Sequence, residues 1–265
     1  MAVMSAITIN IAEKRYASAA KSGHDHLAVS QLKFDVPEGE FVCVLGPSGC
    51  GKTTLLNLIA GLDTAYDGEI TLAPGTLEHL AYVFQTPRLL PWRTVQQNVN
   101  LVAEEQDDGA GLAARLLEAV GLGAFAHSYP GELSVGMQRR AALARAFACR
   151  PKLLLMDEPF VSLDPVAAEE LRKLLRAILA ERRATVIFVT HDHTEAVQLA
   201  DRILVLTGAP AKIAAEIDVT LDAEQRFDNQ AVRQFAETHL SHFLHRHPLL
   251  HRHPRESGDP GTAKS

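Results

Sequence analysis

The sequence predicts an α/β fold with a mainly parallel sheet and a helical insert, on three observations. Short apolar runs recur at Phe41–Leu45, Leu153–Met156 and Thr185–Thr190, each too short for a helix and each with the texture of a buried strand. A residue able to do chemistry follows each run: Gly46, Asp157 and His191. Helix-patterned segments alternate with these runs, an order that builds a parallel sheet with its ligands at the carboxyl ends of the strands.

Taken in order, Ile7, Ile9 and Ile11 alternate with Thr8 and Asn10, which reads as a strand rather than a leader peptide. Strands are expected from Ile7 to Val36, around an irregular loop at Ala17 to His26. Tyr16 is placed either to stack on a base or simply to sit on an edge strand. Pro37-Glu38-Gly39-Glu40 is a turn that feeds the run at Phe41.

Gly46-Pro47-Ser48-Gly49-Cys50-Gly51-Lys52-Thr53 then matches G-x-x-x-x-G-K-[ST], a phosphate-binding loop. Thr54 to Ala60 reads as a helix stopped near Gly61. A strand, a glycine turn and a helix start aim successive N–H groups at one point, which suits a polyphosphate. Lys52 is expected to reach the β- and γ-phosphates, and the Thr53 hydroxyl to ligate Mg²⁺.

Gly68–Leu72 and Ala81–Phe84 read as further strands. Between Gln85 and about Leu133 the pattern turns helical, with Leu112, Leu116, Leu117 and Val120 on one face. Glu104 to Asp108 is an acidic, solvated connection. Trp92, the one tryptophan, is either a core anchor or part of a docking surface.

Asp164 is expected to cap a helix with Pro165 in its first turn and a stripe of Leu171, Leu174, Leu175, Ile178 and Leu179. A helix through Glu195 to Leu199 and a strand at Ile203 to Leu206 complete the expected core. From His239 onward the chain holds six of its twelve histidines, with His245-Arg246-His247-Pro248 nearly repeated at His251. This composition predicts a disordered tail rather than a metal site.

At 265 residues and 47% apolar content the chain can bury a sizeable core. Nothing approaches the roughly 18 consecutive apolar residues of a membrane span. Cys43, Cys50 and Cys149 are odd in number and lack metal spacing, as expected of a reduced cytosolic protein. A net charge of −6 with no basic block argues against a nucleic-acid partner.

At the strand ends, Asp157 is placed to hold Mg²⁺ through water, and Glu158 to take a proton from water attacking the γ-phosphate. His191 is placed to hydrogen-bond that phosphate.

These motifs together resemble the ABC-type ATPases, and specifically the nucleotide-binding subunit of a bacterial importer. Gly46 to Thr53 and Leu153 to Glu158 are similar to the two nucleotide motifs of that family. Gln85 resembles its Q-loop glutamine and Leu133-Ser134-Val135-Gly136-Met137-Gln138 its signature. Ser162-Leu163-Asp164 resembles the D-loop and His191 the switch histidine. The match runs from about Ile7 to Leu206.

The resemblance implies an ABC ATPase fold, a phosphate-loop core with an antiparallel β subdomain and a helical subdomain at about 86–150, over residues 1–238. It implies ATP and Mg²⁺ as ligands, with Glu158, His191 and Lys52 catalytic. It implies nucleotide contacts from Tyr16, the loop residues Gly46, Pro47, Ser48, Gly49, Cys50, Gly51, Lys52 and Thr53, then Thr54 and Gln85. Thr53, Gln85 and Asp157 would serve the metal. Ser134, Gly136 and Asp164 would meet nucleotide across a head-to-tail pair of copies. The implied partners are a second copy, an integral membrane permease and, indirectly, a periplasmic binding protein, with the chain peripheral on the cytoplasmic face of the inner membrane.

Two residues depart from the family pattern. Val135 stands at the first signature glycine, where a branched side chain restricts the backbone. Ser162 replaces the usual alanine. Leu90-Pro91-Trp92-Arg93-Thr94-Val95 resembles the nitrate, sulfonate and taurine importers. Two other functions stay open: a soluble ABC ATPase acting elsewhere, and an ATP-gated switch with little turnover.

Overall fold

The computed structural model describes residues 5–17, 25–103, 109–161, 163–181 and 184–244. Most of the predicted irregular loop, the acidic connection at 104–108, Ser162 and the tail beyond Leu244 lie outside them.

Two sheets carry the fold. The first is antiparallel, in the order β2 (His26–Pro37), β1 (Ser5–Tyr16), β4 (Asp67–Leu72). Ile7, Ile9 and Ile11 point inward while Thr8 and Asn10 face out, as a period of two requires.

The second sheet runs β5 (Leu80–Val83), β6 (Leu153–Asp157), β7 (Thr185–Thr190), β3 (Phe41–Leu45), β8 (Arg202–Leu206), β9 (Ile213–Asp218). Its first five strands are parallel, and β9 pairs antiparallel with β8. The central strands β3, β6 and β7 are buried along their whole length, which explains their unbroken apolar runs.

Alternation along those strands divides the core. Val42, Val44, Leu155, Ile187 and Val189 face α1 (Lys52–Ile59) and the antiparallel sheet. Cys43, Leu45, Met156 and Phe188 face a second cluster shared with α4 (Val135–Ala148), α5 (Pro165–Glu181) and α6 (His193–Leu199). The insert comprises α2 (Val95–Asn100), α3 (Gly109–Ala119) and α4, with Leu116, Leu117, Leu143 and Phe147 in that same cluster.

Three features differ from the sequence reading. The core does not end at Leu206, because β9 adds an antiparallel edge whose residues are only half-buried by turns. Beyond it α7 (Asn229–His239) packs Val232 and Phe235 into the core, and α8 (Ser241–Leu244) follows a fully buried Leu240. Helical chain therefore continues past His239, as far as Leu244. Finally, Trp92 is 70% exposed, so it is no core anchor.

Candidate functional site

Strand order brings the chemistry together. β6, β7 and β3 are adjacent, so the residues leaving their carboxyl ends share one crevice. The Gly46 N–H donates to the Thr190 carbonyl at 3.2 Å, tying the start of the glycine loop to the end of β7. Gly51 sits at φ 108°, and a Cβ there would lie 2.8 Å from the Ala28 carbonyl, so only glycine fits. No side chain caps α1, which leaves its first N–H groups facing the crevice.

The crevice is a cavity of ≈ 340 Å³. Ser48, Gly49, Gly51, Lys52, Thr53 and Thr54 of the glycine loop and the start of α1 line it. Tyr16, Gln85, Asp157 and Glu158 line it as well. Gly46, Pro47 and Cys50 stand outside this lining. Cys50 is buried, and that burial pushes its thiol above the usual range.

Lys52 is 5% exposed and folded back on its own loop. Its Nζ donates to the Gly46 and Pro47 carbonyls at 2.9 and 3.0 Å and lies 3.3 Å from Glu158 Oε1. An anion entering the loop would have to compete with those carbonyls and that carboxylate for the ammonium.

Asp157 and Glu158 are adjacent but differently placed. Asp157, 5% exposed, has its pKa raised by burial, with a hydrogen bond from Thr53 pulling the other way. Glu158 adopts left-handed backbone, φ 43°, and turns its carboxylate between Lys52 and His191, whose Nδ1 lies 3.2 Å from Oε1. Burial would push the Glu158 pKa up, but the His191 contact and the Lys52 charge outweigh it and hold the carboxyl below its ordinary value. His191 is raised in return, chiefly by Glu158.

Tyr16 is itself braced. Lys14 Nζ lies 4.6 Å from its ring centroid and bonds Asp63 Oδ1 and the Ala65 carbonyl, both at 2.7 Å. The Tyr16 hydroxyl reaches Asp63 and Thr54. His26, opposite Tyr16 across the β1–β2 pair, also lines the cavity. Sequence reasoning misses His26, because only the strand register places it beside Tyr16.

Ser134, Gly136 and Asp164 do not join this cavity. Ser134 caps α4, accepting from the Met137 N–H at 3.3 Å. A Cβ on Gly136 would lie 3.3 Å from Leu163. Asp164 accepts from the Ala167 N–H at 3.0 Å, the expected cap of α5. Val135 is 54% exposed at the α4 tip.

Gln85 is exposed at the cavity rim, and the loop behind it is pinned from both sides. Arg145 of α4 donates to the Arg88 and Pro87 carbonyls at 2.9 and 3.0 Å, and the Arg88 guanidinium stacks 3.8 Å from the Phe84 ring centroid. Farther on, the buried Asn98 amide bonds the backbone of Leu90, Arg93 and Thr94, and so presents Trp92 outward. Thr94 and Gln97 form a capping box at the start of α2.

Comparisons with known proteins fit this geometry. The family profile described as ABC transporter matches residues 29–161. A second, described as AAA domain, putative AbiEii toxin, Type IV TA system, matches 126–197. The Taurine import ATP-binding protein TauB of Rhizobium johnstonii is 41% identical over 228 residues, covering 83% of each chain. The Aliphatic sulfonates import ATP-binding protein SsuB 2 of Burkholderia lata is 42% identical, covering 74% of this chain and 73% of that one. The Bicarbonate transport ATP-binding protein CmpC of Synechocystis sp. is 44% identical over 71% of this chain, but the match spans only 30% of that longer protein. Among solved structures, the dimeric ATP-binding cassette MJ0796 in a post-hydrolysis state with ADP and Pi aligns with a TM-score of 0.69 at 30% identity, over 82% of this chain and 100% of that one.

Proposed function

The chain belongs to the ABC transporter family, and from that premise we propose that it is the subunit that binds and hydrolyses ATP to drive an importer. One observation carries the reading: a single cavity is bounded by Tyr16, the glycine loop, Gln85 and the Asp157-Glu158 pair.

In this reading Tyr16 stacks on adenine, with Lys14 bracing its ring. The phosphates draw Lys52 away from the Gly46 and Pro47 carbonyls and accept the N–H groups of Ser48 to Thr53, with the Thr54 side chain beside them. Thr53, Asp157 and Gln85 are the residues to hold Mg²⁺. One buried carboxylate with a hydroxyl and an amide suits an ion that takes its remaining ligands from phosphate and water. When bound, Mg²⁺ neutralises charge on the phosphate oxygens.

Glu158 is the base. Its depressed pKa keeps it ionised, and it accepts a proton from the water it orients. His191 donates to the γ-phosphate and neutralises Glu158 between turnovers.

Ser134, Gly136 and Asp164 meet nucleotide in trans, from a second copy packed head to tail. Closure follows because the shared γ-phosphate binds the closed pair more tightly than the open one. We place the ATPase domain over 1–238 with the helix to Leu244 as its continuation, and the helical subdomain at about 86–150. Trp92 and its loop are the docking surface for a permease, on the cytoplasmic face of the membrane. No helix among the described residues is long and apolar enough to cross a bilayer. The cargo is a small anion such as nitrate, a sulfonate or taurine, delivered through a periplasmic binding protein.

The test is Lys52→Ala in the purified full chain. Loss of ATP affinity and of turnover by about 10²–10³ supports the reading, and intact binding and turnover overturn it. A second reading, an ATP-gated switch with little turnover, is favoured by one observation, the branched Val135 exposed where phosphate must approach.

A further inference from the structure

We propose that Arg139 is a positioning residue for Glu158, tying the tip of α4 that serves the partner's nucleotide to the carboxylate that serves this chain's own; this rests on the ATPase reading above. Arg139 lies on α4, inward of the Ser134 cap, and is only 8% exposed. Its Nη1 donates to the Pro159 carbonyl at 2.6 Å and to the Glu158 carbonyl at 3.3 Å, while its Nε has no acceptor. Val83, Phe84, Met156, Phe160 and Leu171 line the same small cavity as the guanidinium, and they offer it nothing polar.

Burying a cation without a bonded carboxylate opposes folding, and an apolar side chain of this length would fill the space at less cost. Packing alone therefore does not account for the charge. What the guanidinium does is hold two consecutive carbonyls at the end of β6.

The first of them belongs to Glu158, whose left-handed backbone persists only where its surroundings enforce it. Its N–H is held by the Val189 carbonyl at 3.0 Å, and its C=O accepts both from the Val161 N–H and from Arg139, each at 3.3 Å. The local turn closed by Val161 is thus reinforced from two neighbouring elements, β7 and α4.

The same helix bonds the Gln85 loop through Arg145 and carries Ser134 at its exposed end. A displacement of α4 when Ser134 engages the partner's phosphate must pass through Arg139 to Glu158. By reciprocity, the state of Glu158 biases the tip.

The experiment compares Arg139→Met, Arg139→Gln and Arg139→Lys with the wild-type full chain, measuring ATP turnover against ATP concentration beside thermal melting. Arg139→Met is expected to lower kcat about tenfold to a hundredfold with KM held, and to reduce the Hill coefficient toward that of independent sites. Arg139→Gln and Arg139→Lys, which keep a donor, are expected to recover part of both. If Arg139→Met does not fold, these two decide, and each must still show lower kcat and weaker cooperativity. Variants that melt earlier but keep kcat, KM and the Hill coefficient overturn the inference while leaving the ATPase reading standing. A raised KM at constant kcat overturns it too. A wild-type chain without ATP turnover overturns the reading, and this inference with it.

Discussion

The crevice at the ends of β3, β6 and β7 and the tip of α4 are built on opposite terms. In the crevice, Lys52, Asp157 and Glu158 are largely buried, His191 is half-buried, and all four have partners within the chain. At the tip, Ser134 makes one capping bond, Val135 is exposed, and a Cβ built on Gly136 would meet side chains only at 3.3 Å or more. A self-satisfied site must be opened by a ligand that competes for its contacts. A bare tip has nothing to break and gains everything from an added surface. The contrast is the one expected if, as proposed, the crevice holds nucleotide within a single chain while the tip serves a second copy.

The largest test of that contrast is Glu158→Gln. Removing the proposed base should lower turnover by about 10²–10⁴ and leave ATP-driven pairing intact or stronger. It is checked by phosphate release beside size-exclusion in ATP; pairing lost together with turnover would mean that the crevice and the tip are not separable.

Charge burial should make pH act on the crevice half. Glu195 on α6 accepts a hydrogen bond from Thr190 and, chiefly through burial, its pKa is raised to about 7. The folded state then binds more protons than the unfolded one between the ordinary carboxyl pKa and about 7, so stability falls as pH rises through that window. Glu195→Gln should flatten the fall, which amounts to up to about 3 kcal/mol, in denaturant titrations at several pH values. Glu158 has the opposite sign. Its lowered pKa contributes stability above the ordinary carboxyl value that is lost as pH drops through the folded one.

Val135→Gly probes the tip. Turnover should rise a few-fold while stability drops by about 0.5 kcal/mol, because glycine weakens the first turn of α4. Unchanged or lower turnover in the assembled transporter would mean that the branched side chain does not obstruct phosphate. The smallest effect is expected at Trp92. Trp92→Ala should move stability by no more than about 0.5 kcal/mol, since the ring is exposed. It should nonetheless weaken co-purification with a membrane permease.

Much of this was legible in the chain because buried parallel strands write themselves as apolar runs. Phe41–Leu45 and Thr185–Thr190 are strands at those very bounds, and Asp164 caps α5 as its position before Pro165 implies. The start of α2 went unread, although Thr94 and Gln97 have the capping-box spacing that the structure shows there. β9 was harder, because an antiparallel edge exposed on alternate residues has no continuous run to announce it. Trp92 misleads on composition alone: a large ring normally seeks the core, and here a buried Asn98 bonds the backbone that turns it outward.

The sequence by itself determined the parts: a glycine loop before a helix, two carboxylates after one strand and a histidine after another. Such motifs are local, set by spacing along a few residues, so no distant contact is needed to recognise them. Only the tertiary structure decided how they meet. It placed β7 between β6 and β3, set His26 across from Tyr16, folded Lys52 onto its own loop and laid Arg139 beneath Glu158. Those relations join residues far apart in the chain, and long-range packing that no local pattern encodes is what fixes them.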